Sequence, residues 1–492
     1  MRITQNFSDR KYLKNSSRLL SGYTKSMLKI ESQMDYFRAS DNAIKASKAM
    51  TVRKNLQDLS MYDSNLKLTK GLYEAAEQNL YTVANKAYID VAEKLDQACN
   101  GTYSQEQLDI IAHELDQYAD SAIKTLNSDY AERRLFGGTN NSSPAFGTLK
   151  EADGITDALD SVTGHKIVTY NGIPVDDITA DGAHYMNRIS KDDYDAKVAA
   201  GEGDTVVRVA YDEGYDTEID EAEYNTISAN DPDSVRSVTK SVKKEVTADE
   251  YDPNDAAYSK ENGKFYKTED VTKYYKTNYR YYTGEAATEE EFKASKNDGS
   301  IVNVDGKYIK TGDVPGCKPI YVDIGLGIKY NAEGEVQVGT AVDVSMNGAK
   351  ITGTGMTTVN SSVNSSYNKD DPFSKAAYDM KFSNNFVQLI YDAADALRAG
   401  DVSRANATID LLDNSNTGIL TEITTLGSKY KSTEFYLDKD EEYKSSLLER
   451  QNDVEGCDMN EEITNMNAMQ AAYNAMLQLS ANVLPRSIFD FI

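Results

Sequence analysis

The chain has 492 residues, with 79 acidic and 53 basic side chains and a formal net charge of −26. This balance, without any sustained basic run, argues against nucleic acid as a partner, because phosphate binding needs clustered Lys and Arg. The 3 cysteines do not indicate a disulfide framework. No window reaches the roughly 20 apolar residues of a membrane span, and the N-terminus has no apolar core of a cleaved signal peptide.

The N-terminal block is predicted to be helical, with an assembly helix over 1–40 and the first half of a helical rod over 41–146. A heptad seam with alternating steps of three and four residues supports the first helix. Its members are Leu13, Ser16, Leu20, Tyr23, Met27, Ile30, Met34 and Phe37. We expect one long helix over 42–98, then a break, and a third helix that begins with a Ser104–Gln107 capping box.

The middle of the chain, residues 147–373, has a different texture and is predicted to form inserted β-rich outer domains. It holds 42 acidic and 24 basic side chains. Short β-branched and aromatic runs alternate with the turn sequences "NDG", "VDG", "AEG" and "MNG", a pattern typical of strands and hairpins.

The C-terminal block is helical again. Residues 374–458 are predicted to form the second half of the rod, with one helix from Phe382 to Leu397 closed by Gly400. Residues 459–492 are predicted to form a C-terminal assembly helix and an apolar tail. Its seam is Met459, Ile463, Met466, Gln470, Tyr473, Leu477, Ser480 and Leu484. The fold class expected is therefore α plus β, multidomain, with coiled-coil-like arms from both termini and a β-rich insert.

Nothing in the sequence predicts an enzyme, a cofactor or a metal. The stretch "HELDQ" at 113–117 carries Gln117 where a zinc helix needs its second histidine. His165 and His184 have no Cys or His neighbours at ligand spacing, and we interpret them as surface or packing residues. The acidic run at 211–223 lacks the residue order of a calcium loop.

Several motifs resemble the bacterial flagellin superfamily, and within it the family of hook–filament junction proteins known as hook-associated protein 3. The motifs are "MRIT" at the start, "ASDNAIKASKAM" at 39–50, "RRLFGGTNNSSPAF" at 133–146 and the C-terminal "NMNAMQAAYNAMLQLSANVLPRSIFDFI". The family's Ser-Asp-Asp-Pro-like element reads Ser40, Asp41, Asn42, Ala43 here, and its usual Ser-Thr-Gly-Lys stretch is replaced by "QMDYFRA". The insert shows the likeness only around "YVDIGLGI" and "GTAVDVSMNG".

The resemblance implies a structural protein of the extracellular flagellum, exported by the type III apparatus without a cleaved signal and shielded by an export chaperone. It implies a ring of identical chains between hook and filament, contacting the other hook-associated junction protein and templating flagellin, with no membrane or nucleic-acid partner. A filament subunit stays open as an alternative, as does a type III-secreted coiled-coil translocator or adhesin.

The terminal helices have apolar faces with no further layer to cover them, so we expect them to order on assembly. The predicted assembly surface is Ile3, Phe7, Leu13, Leu20, Met27, Met34, Met466, Tyr473, Leu477, Leu484, Ile488, Phe489, Phe491 and Ile492.

Overall fold

The computed structural model describes residues 2–483 apart from 152–153, 155, 161–163, 212–216, 332–333, 338, 361–372 and 374–378. At 2–6, 8–9, 233 and 480–483 it describes the backbone alone. The predicted tail residues Leu484, Ile488, Phe489, Phe491 and Ile492 lie outside the described residues, as does part of the acidic run at 211–223.

Long helices occupy both ends of the described chain. The helices are α1 (Arg2–Ser32), α2 (Ala43–Tyr81), α3 (Tyr88–Asn100), α4 (Gln105–Leu126), α5 (Lys191–Ala199), α6 (Glu221–Asn230), α7 (Glu289–Ala294), α8 (Gly348–Thr352), α9 (Phe386–Arg398), α10 (Val402–Glu455) and α11 (Met459–Val483). A π-turn at Thr82–Ala87 joins α2 to α3, so helical backbone runs unbroken from Ala43 to Asn100. The long helix expected over 42–98 is therefore present, with one π-turn inside it.

Short strands are distributed through the region between α4 and α9. They are β1 (Asp129–Tyr130), β2 (Arg133–Arg134), β3 (Phe146–Thr148), β4 (Val168–Tyr170), β5 (Ile173–Pro174), β6 (His184–Tyr185), β7 (Asn187–Ile189), β8 (Val206–Ala210), β9 (Thr217–Ile219), β10 (Val235–Val246), β11 (Tyr258–Glu261), β12 (Lys264–Lys276), β13 (Tyr279–Thr283), β14 (Ala286–Ala287), β15 (Ile301–Val304), β16 (Lys307–Lys310), β17 (Gly312–Asp313), β18 (Tyr321–Val322), β19 (Val342–Asp343), β20 (Met356–Val359) and β21 (Met380–Ser383).

These strands form several small antiparallel sheets. The largest has the order β10-β12-β11, with β9 also paired to β12, and its register runs from Val235↔Lys276 to Val246↔Phe265. Two three-stranded sheets have the orders β7-β13-β8 and β14-β16-β15, and a third is β3-β4-β5. Asp305 and Gly306, with φ of 51° and 82°, make the turn between β15 and β16, which confirms the hairpin predicted at "VDG".

The chain divides into two compact units. The first contains Met1–Lys67, Asp323–Lys329 and Thr433–Ile492, and the second contains Leu68–Val322 and Tyr330–Ser432. In the first unit Asn42 precedes α2 and caps it, since its Oδ1 accepts a hydrogen bond from the backbone N–H of Lys45 at 3.1 Å. The apolar contacts of α2 with α10 there are made by Val52, Leu59 and Leu447.

The core of the second unit surrounds α9. Nine apolar positions of α9 are buried, among them Phe386, Leu389 and Leu397. Asn385 caps the helix by accepting hydrogen bonds from two backbone N–H groups, and Gly400 follows its end with a φ of 70°. The Gly400 conformation is the left-handed one that favours glycine after a helix, which agrees with the predicted stop.

The "LFGG" motif packs against "MNG" in the second unit. The Phe136 carbonyl accepts hydrogen bonds from the Tyr170 hydroxyl at 2.8 Å and from the Gly348 N–H at 3.1 Å. Gly138 has a φ of 62°, and a Cβ on it would lie 1.9 Å from the Gly316 carbonyl oxygen. A side chain is therefore excluded at Gly138 by conformation and by space.

Three predictions need correction, two about the block boundaries and one about a turn. Phe382 lies in β21, which pairs with β20, so β structure continues past residue 373 into the predicted rod. The hairpin β1–β2 likewise precedes residue 147. Asn347 of "MNG" caps α8, with its Oδ1 accepting from the Lys350 N–H, and does not form a hairpin turn. An Asn before a short apolar run satisfies a helix start as well as a turn.

Helices α5, α6 and α7 inside the β-rich insert were also not predicted. Each begins with a side-chain cap, at Ser190, Asp220 and Thr288 respectively. They are short, and none of their residues is buried. Without a buried stripe they leave no helical period of apolar residues for a sequence reading to detect.

Candidate assembly surface

Helices α1 and α11 form an antiparallel pair in the first unit. The Tyr12 hydroxyl donates to the Met476 carbonyl at 3.0 Å, and near the other end the Cys457 N–H donates to the Gln33 carbonyl at 3.0 Å. Met34 and Gly456 form an isolated antiparallel bridge just beyond the pair. These contacts fix both the direction and the register of the two helices.

Polar contacts lie in the middle of this pair. The Ser26 hydroxyl is buried and donates to Glu462 Oε1 at 2.6 Å. The Lys29 ammonium lies 3.1 Å from Asp35 and 3.8 Å from Glu462. A Cβ on Gly22 would lie 2.9 Å from the Met469 sulfur, so glycine permits the close approach of the two helices here.

Each predicted heptad seam is split by the structure. On α1 the residues Ser16, Tyr23 and Ile30 are partly buried, whereas Leu13, Leu20 and Met27 are exposed. On α11 the residues Met459, Met466 and Tyr473 are partly buried, whereas Ile463, Gln470 and Leu477 are exposed. Half of each seam therefore packs within the helix pair, and the other half faces solvent in this chain.

The two exposed rows lie on the same side of the pair. On both helices, each exposed position comes one residue after a position that faces the partner helix. On α1 the exposed positions are Leu13, Leu20 and Met27. In antiparallel right-handed helices such positions turn to the same side. With the register set at Met34 and Gly456, Leu13 is level with Leu477, Leu20 with Gln470 and Met27 with Ile463. We call these six residues the exposed heptad face.

The predicted assembly residues fall into three groups. Phe7, Leu13, Leu20, Met27 and Leu477 are exposed, at 69%, 63%, 46%, 52% and 46% respectively. Met466 and Tyr473 are partly buried inside the pair, and Met34 is partly buried just beyond its end. The Ile3 side chain and the five tail residues are outside the described part of the chain. Ile463, which belongs to the exposed heptad face, was placed in the seam but not among the predicted assembly residues.

One packing contact of the first unit was not predicted from the sequence. The loop Asp323–Lys329, containing "DIGLGI", packs on α2, where the Asn65 amide donates to the Asp323 carbonyl at 3.0 Å and Ile324 is buried. A Cβ on Gly325, which has a φ of 83°, would lie 2.7 Å from the Tyr62 ring. The glycine spacing of this stretch was the available signal, since a loop that approaches a ring this closely needs glycine.

The histidines and cysteines considered as catalytic candidates have surroundings typical of structural residues. His113 is exposed on α4, and His165 Nδ1 lies 2.9 Å from Asp392 Oδ1 in the core of the second unit. Burial raises the pKa of the Cys99 and Cys317 thiols to about 11, so both stay protonated near neutrality. Among the described residues, no three His, Cys, Asp or Glu side chains are arranged to hold a metal ion.

Within the described ranges, no helix combines the length and the apolarity that crossing a bilayer requires.

Residues 3–141 match the family model of the bacterial flagellin N-terminal helical region. Over this part of the chain, the predicted resemblance to the bacterial flagellin superfamily is confirmed. The matched range contains α1 to α4 and the "LFGG" motif, and so includes one helix of the exposed heptad face.

Solved flagellar proteins are similar to this chain at low identity. A putative flagellar hook-associated protein from Vibrio parahaemolyticus is 10% identical, covering 85% of this chain and 100% of that chain with a TM-score of 0.39. Flagellar hook associated protein-3 from Legionella pneumophila is 11% identical, with 82% and 99% covered and a TM-score of 0.32. FlgL from Xanthomonas campestris is 13% identical, with 76% and 92% covered and a TM-score of 0.29. No curated protein matches the sequence.

Proposed function

We propose that this chain is a structural subunit of the bacterial flagellum that forms a junction ring between hook and filament. The observation that carries the proposal is the exposed heptad face, formed by the two terminal helices of a chain whose first helices are of flagellin type. Burying an aliphatic side chain of this size contributes about 1.5–3 kcal/mol. A face of five such side chains is costly in water and stabilising between packed copies.

The composition of this surface favours assembly over catalysis. It consists of aliphatic side chains and one amide in heptad rows, and it lacks the paired acids, bases or nucleophiles that chemistry requires. We infer that the partners are further copies of this chain, the other hook-associated junction protein and flagellin. We infer in addition that the chain uses the type III export apparatus and an export chaperone, and that its final location is the extracellular flagellum.

Quantitative mass spectrometry of intact, purified hook–filament assemblies tests the junction role. The amount of this chain would be compared with the amounts of hook protein and of the major flagellin, in filaments sheared to different lengths. A constant, small amount fitting one short ring is the expected result.

Two other outcomes would reject the junction role. An amount that grows with filament length would assign the chain to the filament itself as a flagellin. Absence from the assemblies, with the chain present at a host-cell membrane, would instead support a secreted coiled-coil translocator or adhesin.

A further inference from the structure

A cavity of about 390 Å³ lies in the first unit between α2, α10 and the loop Asp323–Lys329. Three tyrosines line it, and so do the carboxylates of Asp58 and Asp440. The tyrosines are Tyr62, Tyr436 and Tyr443. We call this site the tyrosine–aspartate pocket.

Asp440 is incompletely satisfied in this pocket. Its Oδ2 atom is buried and receives no hydrogen bond within the described part of the chain. Burial, followed by the nearby charge of Asp63, raises the pKa of Asp440. A carboxylate that has lost part of its hydration and has gained no donor is stabilised by a cation placed beside it.

The tyrosine rings select the kind of cation. A ring face attracts an ammonium or guanidinium group within about 6 Å of its centroid, and more strongly when the group is desolvated. Carboxylates beside tyrosine side chains therefore suit a Lys or Arg side chain better than an apolar one. Lys439 also lines the pocket and works against a second cation there, but its own side chain is exposed.

Basic side chains of this kind are concentrated on α1. The first 38 residues hold eight basic and three acidic side chains, in a chain whose net charge is −26. Five of the basic side chains are exposed along α1, at Arg10, Lys11, Lys14, Arg18 and Lys25. The most basic segment of the chain is thus an exposed helix, and the tyrosine–aspartate pocket is complementary to it in charge.

We propose that the tyrosine–aspartate pocket receives a Lys side chain from α1 of a second copy of this chain. The inference rests on the proposed function, because it needs copies of the chain to lie side by side. It adds a polar contact between copies that is separate from the apolar contacts of the exposed heptad face. Such a contact can set which neighbour is engaged and in what register.

Cross-linking of an isotope mixture tests the contact directly. Equal amounts of ¹⁵N-labelled and unlabelled full-length chain would be concentrated until sedimentation shows oligomers, and then treated with a carbodiimide that joins carboxylates to amines in contact. We expect mixed-isotope cross-links from Asp58 or Asp440 to Lys11, Lys14 or Lys25. The mixed isotopes prove that the two residues come from different copies.

The outcomes separate this proposal from the proposed function. Oligomers whose mixed-isotope cross-links avoid Asp58 and Asp440 would overturn the pocket contact and leave assembly standing. A mixture with no oligomers and no mixed-isotope cross-links would overturn both.

Two neighbouring substitutions provide a matched pair with opposite expected signs. Asp440→Asn keeps the shape of the side chain and removes its charge. It should lower the yield of mixed-isotope cross-links from Asp58 at least threefold. Lys439→Gln removes the competing cation and should leave the yield unchanged or raise it. Equal yields for D440N and the wild-type chain would overturn the proposal, since a contact that depends on this charge cannot ignore its loss.

Discussion

The Ser26 hydroxyl donates a hydrogen bond of 2.6 Å to Glu462 Oε1, joining two helices that lie 436 positions apart in sequence. Ser26 is 2% exposed, so the bond lies in the interior of the α1–α11 pair. A hydrogen bond to a carboxylate is among the stronger polar contacts, at about 1.5–3 kcal/mol. This bond therefore stabilises a pair whose packed seam contains few large aliphatic side chains.

Ser26→Ala should loosen the helix pair. The expected cost is about 1–2 kcal/mol of local stability, because Glu462 keeps only its longer contact to Lys29. Hydrogen exchange of the α1 amides should become about 5–30-fold faster. Thr24→Ala is the matched control, since the Thr24 hydroxyl donates within its own helix, to the Leu20 carbonyl. Equal exchange rates in S26A and T24A would contradict the role of the Ser26 bond.

Replacing the exposed aliphatic row of α1 should separate assembly from stability. The variant Leu13→Gln/Leu20→Gln/Met27→Gln changes side chains that face solvent in the single chain. We expect its free energy of unfolding to change by less than about 0.5 kcal/mol and its sedimentation to show no oligomers. The matched control is Tyr23→Gln, which removes an inward-facing ring and should weaken the helix pair itself. A triple variant that still assembles would rule out the exposed heptad face as a contact between copies.

Low pH should weaken the ion pairs that Asp35 makes with Lys45 and Lys29. Its carboxylate lies 2.7 Å from Lys45 and 3.1 Å from Lys29, and the hydrogen bond from Lys45, then that from Lys29, lowers the pKa of Asp35 below its ordinary value of 3.8. A lowered carboxyl pKa contributes stability that is fully present above the unfolded-state value and is lost as the pH falls through the folded-state value. The hydrogen-exchange protection factors near residue 35, taken relative to the intrinsic rate at each pH, should therefore fall below about pH 4.

The Asp35→Asn variant checks that assignment. It should exchange faster than the wild-type chain at pH 6 and should lose the acid dependence of this segment. A variant that keeps the same acid dependence would show that another group is responsible.

Gly138→Ala should destabilise the second unit strongly. The substitution meets both a φ of 62° and a carbonyl oxygen 1.9 Å from the new Cβ, so the backbone near Gly316 has to move. We expect a loss on the order of 3 kcal/mol in chemical unfolding. Gly172→Ala is the control, because Gly172 has a φ of 85° but nothing within 4 Å of a Cβ. It should lose only about 1 kcal/mol from the strained conformation. Similar losses for the two variants would remove the packing argument for "LFGG".

Heptad spacing predicts the helices of both ends correctly, because a regular apolar period is a local property of the sequence. It does not tell which half of a seam is used within the chain. Leu20 and Tyr23 belong to one predicted seam, yet Leu20 is exposed and Tyr23 is partly buried. That division depends on the partner helix, more than 400 residues away, and on the close approach that Gly22 allows.

The insert was less predictable for a related reason. Hairpin turns such as Asp305–Gly306 carry their own conformational signature, whereas Asn347 serves equally well as a turn residue or a helix cap. The packing of Asp323–Lys329 on α2 depends on a distant surface that its own sequence does not describe. The tyrosine–aspartate pocket likewise draws its walls from three separate parts of the chain, so no spacing rule could have assembled it.

The π-turn between α2 and α3 marks a position where a one-residue deletion should be tolerated. A π-turn closes its hydrogen bonds five residues apart, where an α-helix uses four, and so holds one residue more than the α-helical turn it replaces. Deleting Asn85 should let Thr82–Ala87 close as ordinary α-helix, with Leu80 and Val91 still facing the core. The segment is thus a place where the longest helical run among the described residues can lose one residue with little loss of stability. The thermal unfolding midpoint of the Asn85 deletion variant, compared with that of a variant lacking Ala76, would measure this loss of stability.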